Sequence, residues 1–291
     1  MYCVQWTVAQ HEADQTLKQF LSTKHVSKRT LASVKFDGGS LLCNEKEVTV
    51  RKVVQSGDVV RVVFPREQTT LTLDATPLSI IYEDEAFVIV DKEAGVSTIP
   101  SREHPEGSVA NRFVAHLASQ GVSSTFHAVN RLDRDTSGLI VIAKHRYIHS
   151  LFALQQRSKS LQRTYEALVA GTFLPNEIEG TIVAPIGRKD TSIIEREVRG
   201  DGQYACTHYR VLKQGEDWSR VRMTLDTGRT HQIRVHFAHL GHPLLGDDLY
   251  GGPTTTHVTR QALHCTSVSC IHPLTGRQLT FHSPFPVELL P

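Results

Sequence analysis

HAVNRLDRDTSGLIVIAK, residues 127–144, carries the decisive pattern. The unbroken apolar run Leu139-Ile140-Val141-Ile142-Ala143 has the length and composition of a strand buried on both faces. It is entered through a polar turn ending in Thr136-Ser137-Gly138, and within that turn Asp133 is flanked by Arg131 and Arg134. A desolvated carboxyl tends to take up a proton, and nearby guanidinium groups oppose that. A carboxylate held among cations, on a turn anchored by a buried strand, is a candidate for chemistry.

The surrounding chain reads as two units. In residues 1–68, helical spacing begins near Leu17, with Phe20 and Leu21 on the same face, and Ser27 is a good cap for a second helix through Leu31 and Val34. Strand-like pieces follow at 40–42, 48–50 and 59–64, with turns at 44–47 and Gly57-Asp58. This helix–helix–strand unit carries ten Lys/Arg against seven Asp/Glu. Lys24, Lys28, Arg29 and Lys35 lie near its helices, a pattern that suits a polyanionic partner. Residues 69–77, polar and ending at Pro77, read as a linker.

Residues 78–291 mix strands and helices. Strands are expected at 80–82, 87–90, 139–143, 163–169, 208–212, 220–225 and 279–282, and helices at 109–118 and 148–156. Turns rather than regular helices separate most of the strands. That favours an α+β domain with a large mixed, mainly antiparallel sheet over a doubly wound parallel one. Residues 126–172 are again basic, with seven Lys/Arg against three Asp/Glu, although the whole chain carries a net charge of only +2.

At 291 residues, with 40% hydrophobic and 21% charged residues, the composition is that of a globular protein. No apolar run approaches the ~20 residues of a membrane span. MYCVQWTVAQHEADQ lacks the basic region and apolar core of a secretory leader. The five scattered cysteines, odd in number, suit free thiols in a reducing compartment, so a cytoplasmic protein is expected.

Several chemistries find little support. His231, His236, His239 and His242 cluster in sequence, and His264, Cys265, Cys270 and His272 follow, yet the spacings are not those of paired zinc ligands, so no metal is expected. No glycine-rich phosphate loop points to a nucleotide cofactor. No Gly-x-Ser-x-Gly elbow exists, and nothing in the sequence marks a base for Ser137. A second stretch, TGRTHQIRVHFAHLGHPLLGDDLYGG (227–252), is more informative. Read as a strand, it would put Thr230, Gln232 and Arg234 on one face and His231, Ile233 and Val235 on the other. The glycines that follow specify a detailed loop framework.

Taken together, NRLDRDTSGLIVIAK, RTYEALVAG (163–171), TGRTHQIRVH, GHPLLGDDLYG and LHCTSVSCIHPLTGRQLTFHSPFP (263–286) resemble the RluA-type pseudouridine synthases over most of residues 78–286. The N-terminal unit more loosely resembles the small RNA-binding fold of the ribosomal-protein-S-four type. The resemblance implies a pseudouridine synthase fold, an RNA partner and no cofactor. Large-subunit ribosomal RNA is the commoner target and transfer RNA the alternative. It implies Asp133 as nucleophile, Arg234 as its partner and Tyr165 as the residue stacking on the target uracil. It further implies Arg131 entering the RNA near the extracted nucleotide and Leu263 packing under the base. As sequence neighbours in the turn, Arg131 and Arg134 are freer to face phosphates. Two positions depart from the family pattern. Asn130 stands where His is usual, and Lys92-Glu93-Ala94-Gly95 replaces Lys-Pro-x-Gly.

Isomerising uridine to pseudouridine conserves bonds and charge, so it needs neither ATP nor a redox cofactor. It needs a group that detaches the base, by covalent attack or by removing a ribose proton, and a pocket that retains the loose base. The rival readings are a catalytically idle RNA-binding factor in ribosome assembly, using the same surfaces, and a zinc hydrolase.

Overall fold

Local capping chemistry starts the first helices. In the computed structural model, which describes residues 2–255 and 257–289, β1 (Cys3–Thr7) and β2 (Gln15–Thr16) precede α1 (Leu17–Thr23). The Thr16 hydroxyl accepts from the Gln19 amide, and the Gln19 side chain accepts from the Thr16 N–H. Ser27 caps α2 (Lys28–Phe36) by accepting from the Thr30 amide. Then come β3 (Ser40–Cys43), β4 (Lys46–Glu47), β5 (Val53–Val54) and β6 (Val59–Val63). β1, β6, β3 and β4 form an antiparallel sheet. Residues 48–50, expected as a strand, lie outside it.

Residues 64–79 contain no helix or strand. They are nonetheless tied down: the Asn111 side chain donates to the Thr72 carbonyl, and the Asp74 amide donates to the Asn111 carbonyl. The N-terminal unit also shares an apolar core with the rest of the chain. Phe64 stacks on Tyr147 at 5.2 Å, and the Tyr147 hydroxyl donates to the Lys24 carbonyl.

The remainder holds β7 (Ile80–Glu83), β8 (Phe87–Lys92), α3 (Val109–Ser119), β9 (His127–Ala128), β10 (Ser137–Ala143), α4 (Arg146–Arg157), β11 (Gln162–Ala170), β12 (Glu179–Val183), β13 (Ile186–Arg188), β14 (Arg196–Val198), β15 (Cys206–Gln214), β16 (Trp218–Leu225), α5 (Gln232–His239), β17 (Leu263–Ile271) and β18 (Gln278–His282). One ten-stranded sheet runs in the order β12-β15-β16-β11-β17-β10-β8-β7, with β9 joined to β10 and β18 to β17. Among the described residues its one parallel pairing is β10 on β17; the architecture is α+β, with a mixed, mainly antiparallel sheet. Among the described residues no helix is long and apolar enough to cross a membrane.

All seven residues of β10 are buried, as its apolar composition requires. Several elements depart from the sequence reading. Residues 230–235 are not a strand: His231 sits at φ 58° and Gln232 begins α5. Gln232, Ile233, Arg234, Val235, His236 and Phe237 are all buried, so the helix has no solvent face from which a 3.6-residue period could be read. The alternation of polar and apolar residues therefore imitates a strand. The central strand β17 was not anticipated either. Its His264 and Cys265 are buried beside Ser and Thr residues, so no apolar run announces it. β12 and the β13–β14 hairpin are likewise additions.

Gly138 is where the parallel contact closes. Its φ is 108°, and a Cβ there would lie 2.4 Å from the Cys265 carbonyl oxygen and 2.5 Å from its nitrogen, both backbone atoms. Gly138→Ala should therefore force β10 and β17 apart. Urea denaturation is expected to show a loss of at least about 1–3 kcal/mol from backbone strain alone. A variant as stable as the parent would show that the two strands can separate at no cost.

Candidate active site

The turn that leads into β10 is held from several sides. The Thr98 hydroxyl donates to the Leu132 carbonyl at 2.7 Å and accepts from the Leu132 amide. The Thr136 amide donates to the Asp133 carbonyl, and the Gln261 side chain donates to the Thr136 hydroxyl. Lys92, 2% exposed, donates to the carbonyls of Glu93, Val96 and Arg134, each at 2.8 Å. Those three acceptors engage all three N–H bonds of an ammonium. Burial pushes Lys92 down to about 7, against the opposing charges of Asp135 and Asp133. The Lys92-Glu93-Ala94-Gly95 segment is thus fastened to the turn by its lysine.

Asn130 has a specific task in the same framework. Its amide nitrogen donates to the Leu139 carbonyl, and its amide oxygen accepts from the Val141 N–H. The side chain supplies β10 with a donor and an acceptor just beyond the end of β9. Behind the turn runs a buried chain: the Ser137 hydroxyl lies 2.8 Å from His264 Nδ1, His264 Nε2 lies 2.9 Å from the Ser283 hydroxyl, and Ser283 donates to Asp91. Ser137 therefore does have an imidazole partner, contrary to the sequence reading, because β17 delivers His264 from 127 residues away. Ser137 does not line the cavity described next.

Asp133 opens into a cavity of about 830 Å3, a size typical of ligand sites. Asp133, Arg131, Arg134, Tyr165, Arg234 and Leu263 all line it. The side chain of Asp133 is 27% exposed, and its Oδ2 accepts from Arg234 Nη1 at 3.3 Å. His231 Nε2 stands 3.9 Å from the same oxygen. Burial lowers the pKa of His231, with Asp133 pulling the other way. Neither Arg131 nor Arg134 pairs with Asp133. Arg131 is exposed, and Arg134 Nε donates to the Gly95 carbonyl.

The first partner of Arg234 is a residue the sequence reading missed. Asp247, fully buried, takes Arg234 Nε and Nη2 through two bonds of 2.7 Å. Burial alone would lower the pKa of Arg234, but the Asp247 bonds outweigh it and the cation is held. The guanidinium also lies 5.0 Å above the Tyr250 ring. The signal for Asp247 was present in Gly246-Asp247-Asp248, but nothing local distinguishes which carboxylate turns inward.

Tyr165, on β11, is 4% exposed, and Leu263, the first residue of β17, equally so. Burial raises the pKa of Tyr165 well above the ordinary phenol value. Behind it Glu166 is ion-paired with Arg220 and Arg222.

The N-terminal cations divide. Lys28, Arg29 and Lys35 are exposed, whereas Lys24 is bound to Glu12 at 2.6 Å and lies over the Phe20 ring. Of the histidines and cysteines weighed as metal ligands, His236 is bonded to Thr207 and the Ala184 carbonyl, and His272 to Asp84. Among the described residues one trio, Cys206, His208 and Asp226, brings three possible ligand atoms within 4.8 Å of one another. Its Asp226 already pairs with Lys159 at 2.7 Å.

The family model for RNA pseudouridylate synthase matches residues 86–239, from β8 to the end of α5. RNA pseudouridine synthase YjbO of Bacillus subtilis is 48% identical over 276 residues, 94% of this chain and 96% of that protein. Ribosomal large subunit pseudouridine synthase D of Pseudomonas aeruginosa is 36% identical over 269 residues, covering 87% and 82%. Among solved structures, human RNA pseudouridylate synthase domain containing 1 aligns with a TM-score of 0.57 at 24% identity, covering 72% of this chain and 84% of that one, a likeness of fold.

Double-mutant cycles should separate the two partners of Arg234. Arg234→Ala leaves Asp247 buried without a counter-charge, an expected loss of about 3–5 kcal/mol. In urea denaturation, the coupling between Arg234→Ala and Asp247→Asn is expected to exceed that between Arg234→Ala and Asp133→Asn by about 1 kcal/mol or more, because Asp133 is partly solvated. Equal couplings would mean that the pair with Asp247 does not hold the guanidinium.

Proposed function

This chain belongs to the RluA-type RNA pseudouridine synthases, and on that footing we propose that it works in the cytoplasm on uridines of large-subunit ribosomal RNA, with Asp133 as the group that detaches the base. The observation that carries the reading is the Asp133 carboxylate, reached through an open cavity and paired with a guanidinium that is itself fixed from behind. The likeness to a ribosomal large subunit pseudouridine synthase supports the choice of RNA.

Pseudouridine synthase chemistry breaks the bond from ribose to a ring nitrogen and makes one from ribose to a ring carbon. The proton on that carbon leaves and one is gained at the nitrogen, so atoms and charge balance within the nucleotide. Asp133 serves as nucleophile or as base toward the ribose. Arg234 holds it in orientation through Nη1. The target base must leave its stack, which costs a few kcal/mol. Stacking on Tyr165 returns roughly 1–3 kcal/mol of that. Leu263 supports the base from the floor, and Arg131 and Arg134, without carboxylate partners, face the phosphates. The exposed Lys28, Arg29 and Lys35 extend the basic surface in an N-terminal affinity unit.

The test is pseudouridine mapping in ribosomal and transfer RNA from cells with and without the protein. One or more uridines of the large-subunit RNA should lose the modification. The parent gene should restore it and Asp133→Asn should not, although that variant should fold and bind RNA. Loss confined to transfer RNA would reassign the substrate, and restoration by Asp133→Asn would remove Asp133 from its role.

A further inference from the structure

A second cavity, of about 430 Å3, adjoins the first. Arg131, Gly228, Arg229 and Thr230 line both. Its far wall is the β13–β14 hairpin, which contributes Arg188 and Arg196. Four arginines and one acidic residue, Asp201, therefore line a single space.

The charges are not balanced locally. The segment from β13 to Gln203 contains four acidic residues, Asp190, Glu195, Glu197 and Asp201. Arg199, which does not line the cavity, holds Asp201 and Asp190 (at 2.7 Å) and approaches Glu197 at 3.6 Å. Lys189 holds Glu195 at 2.6 Å. Among the described residues Arg131, Arg188, Arg196 and Arg229 have no carboxylate oxygen within 4.0 Å. Two of them are fixed by neutral groups instead. Arg196 Nη1 donates to the carbonyls of Ile194 and Glu195 at 2.9 Å, and Arg229 Nε donates to the Tyr204 carbonyl at 3.0 Å. Carbonyls orient a guanidinium without neutralising it. Four like charges around one cavity repel one another, and an anion seated among them relieves that repulsion.

We propose that this arginine cradle is a binding site for a backbone phosphate of the substrate RNA, next to the nucleotide held at Asp133. The inference rests on the RNA-modifying function above. The forked guanidinium matches phosphate oxygens through paired hydrogen bonds. The shared wall of Arg131 and Arg229 puts the cradle on the path of a strand leaving the first cavity. Capture of the local carboxylates by Arg199 and Lys189 keeps that path positive.

The test uses the full chain and an unmodified large-subunit ribosomal RNA transcript, with filter binding across a range of KCl concentrations. Arg188 is exposed and makes no side-chain hydrogen bond or ion pair among the described residues, so Arg188→Gln leaves folding intact. The slope of log K against log salt is expected to fall by about 1 for Arg188→Gln and by about 2 for Arg188→Gln with Arg229→Gln. Affinity should drop roughly tenfold per arginine. Arg277→Gln, beyond the end of β17 opposite Leu263, is the charge-matched control and should leave the slope in place. An unchanged slope in the single and double variants, an equal fall in the control, or no binding by the parent overturns the cradle. Binding is also read on Asp133→Asn, which needs no chemistry. If the parent forms no pseudouridine but the arginine variants still flatten the slope, the cradle stands and the proposed function fails. If pseudouridine forms and the slope does not move, the cradle alone fails.

Discussion

The structure around the cavity depends on one buried ion pair. Arg234 is 5% exposed and Asp247 wholly buried. A guanidinium taken that far from water is tolerated only when its charge and its N–H groups are answered. Asp247 answers two of the donors at 2.7 Å and the Tyr250 ring covers a face. What remains is Nη1, pointed at Asp133. The pair thus converts a flexible side chain into a fixed donor, whose bond to Asp133, at 3.3 Å, is the longer of its carboxylate contacts.

The scaffold serves the same end by holding both halves of the site rigid. Asp133 rides on a turn that Lys92, Thr98 and Gln261 fasten, and that turn runs into a strand buried along its whole length. Arg234 rides on α5, whose first residue, Gln232, bonds to the Cys206 carbonyl and the Thr207 hydroxyl of β15. β10 and β15 lie in one continuous sheet, so the distance between turn and helix is set by strand spacing rather than by loops. Gly138 matters here because any side chain at that point would push β17, and with it Leu263, away from the turn.

What could be read from the sequence was whatever is encoded by neighbours along the chain. The apolar run at 139–143, the caps at Thr16 and Ser27, and helices close to 109–119 and 146–157 follow local periodicity and capping. The α+β class and the mainly antiparallel sheet followed from short strands separated by turns. Asp133 stood out from its turn and the family motifs supplied the other catalytic-domain candidates, and the fold gathers Asp133, Arg131, Arg134, Tyr165, Arg234 and Leu263 around one cavity. Local pattern failed where burial is set by distant partners. α5 looks like a strand because tertiary contacts bury its polar residues along with its apolar ones. β17 hides its central position behind Ser, Thr and His. Asp247 could not be told from Asp248, since what separates them is a guanidinium on another element.

The same distinction explains why a net charge of +2 says so little about an RNA partner. Two sets of basic residues behave differently. Those that meet carboxylates build the fold: Arg234 with Asp247, Arg220 and Arg222 with Glu166, Arg199 with Asp190 and Asp201, and Lys24 with Glu12. Others have no carboxylate partner among the described residues, and five of these, Arg131, Arg134, Arg188, Arg196 and Arg229, line the two adjoining cavities. In the sum over the chain the acidic residues cancel the first group and conceal the second. Every carboxylate that a structural arginine captures is one fewer to neutralise the arginines at the cavities. The ion pairs that hold the hairpin together therefore also set the sign of the surface an RNA strand would meet, and the charge a polyanion meets is fixed by pairing geometry rather than by composition.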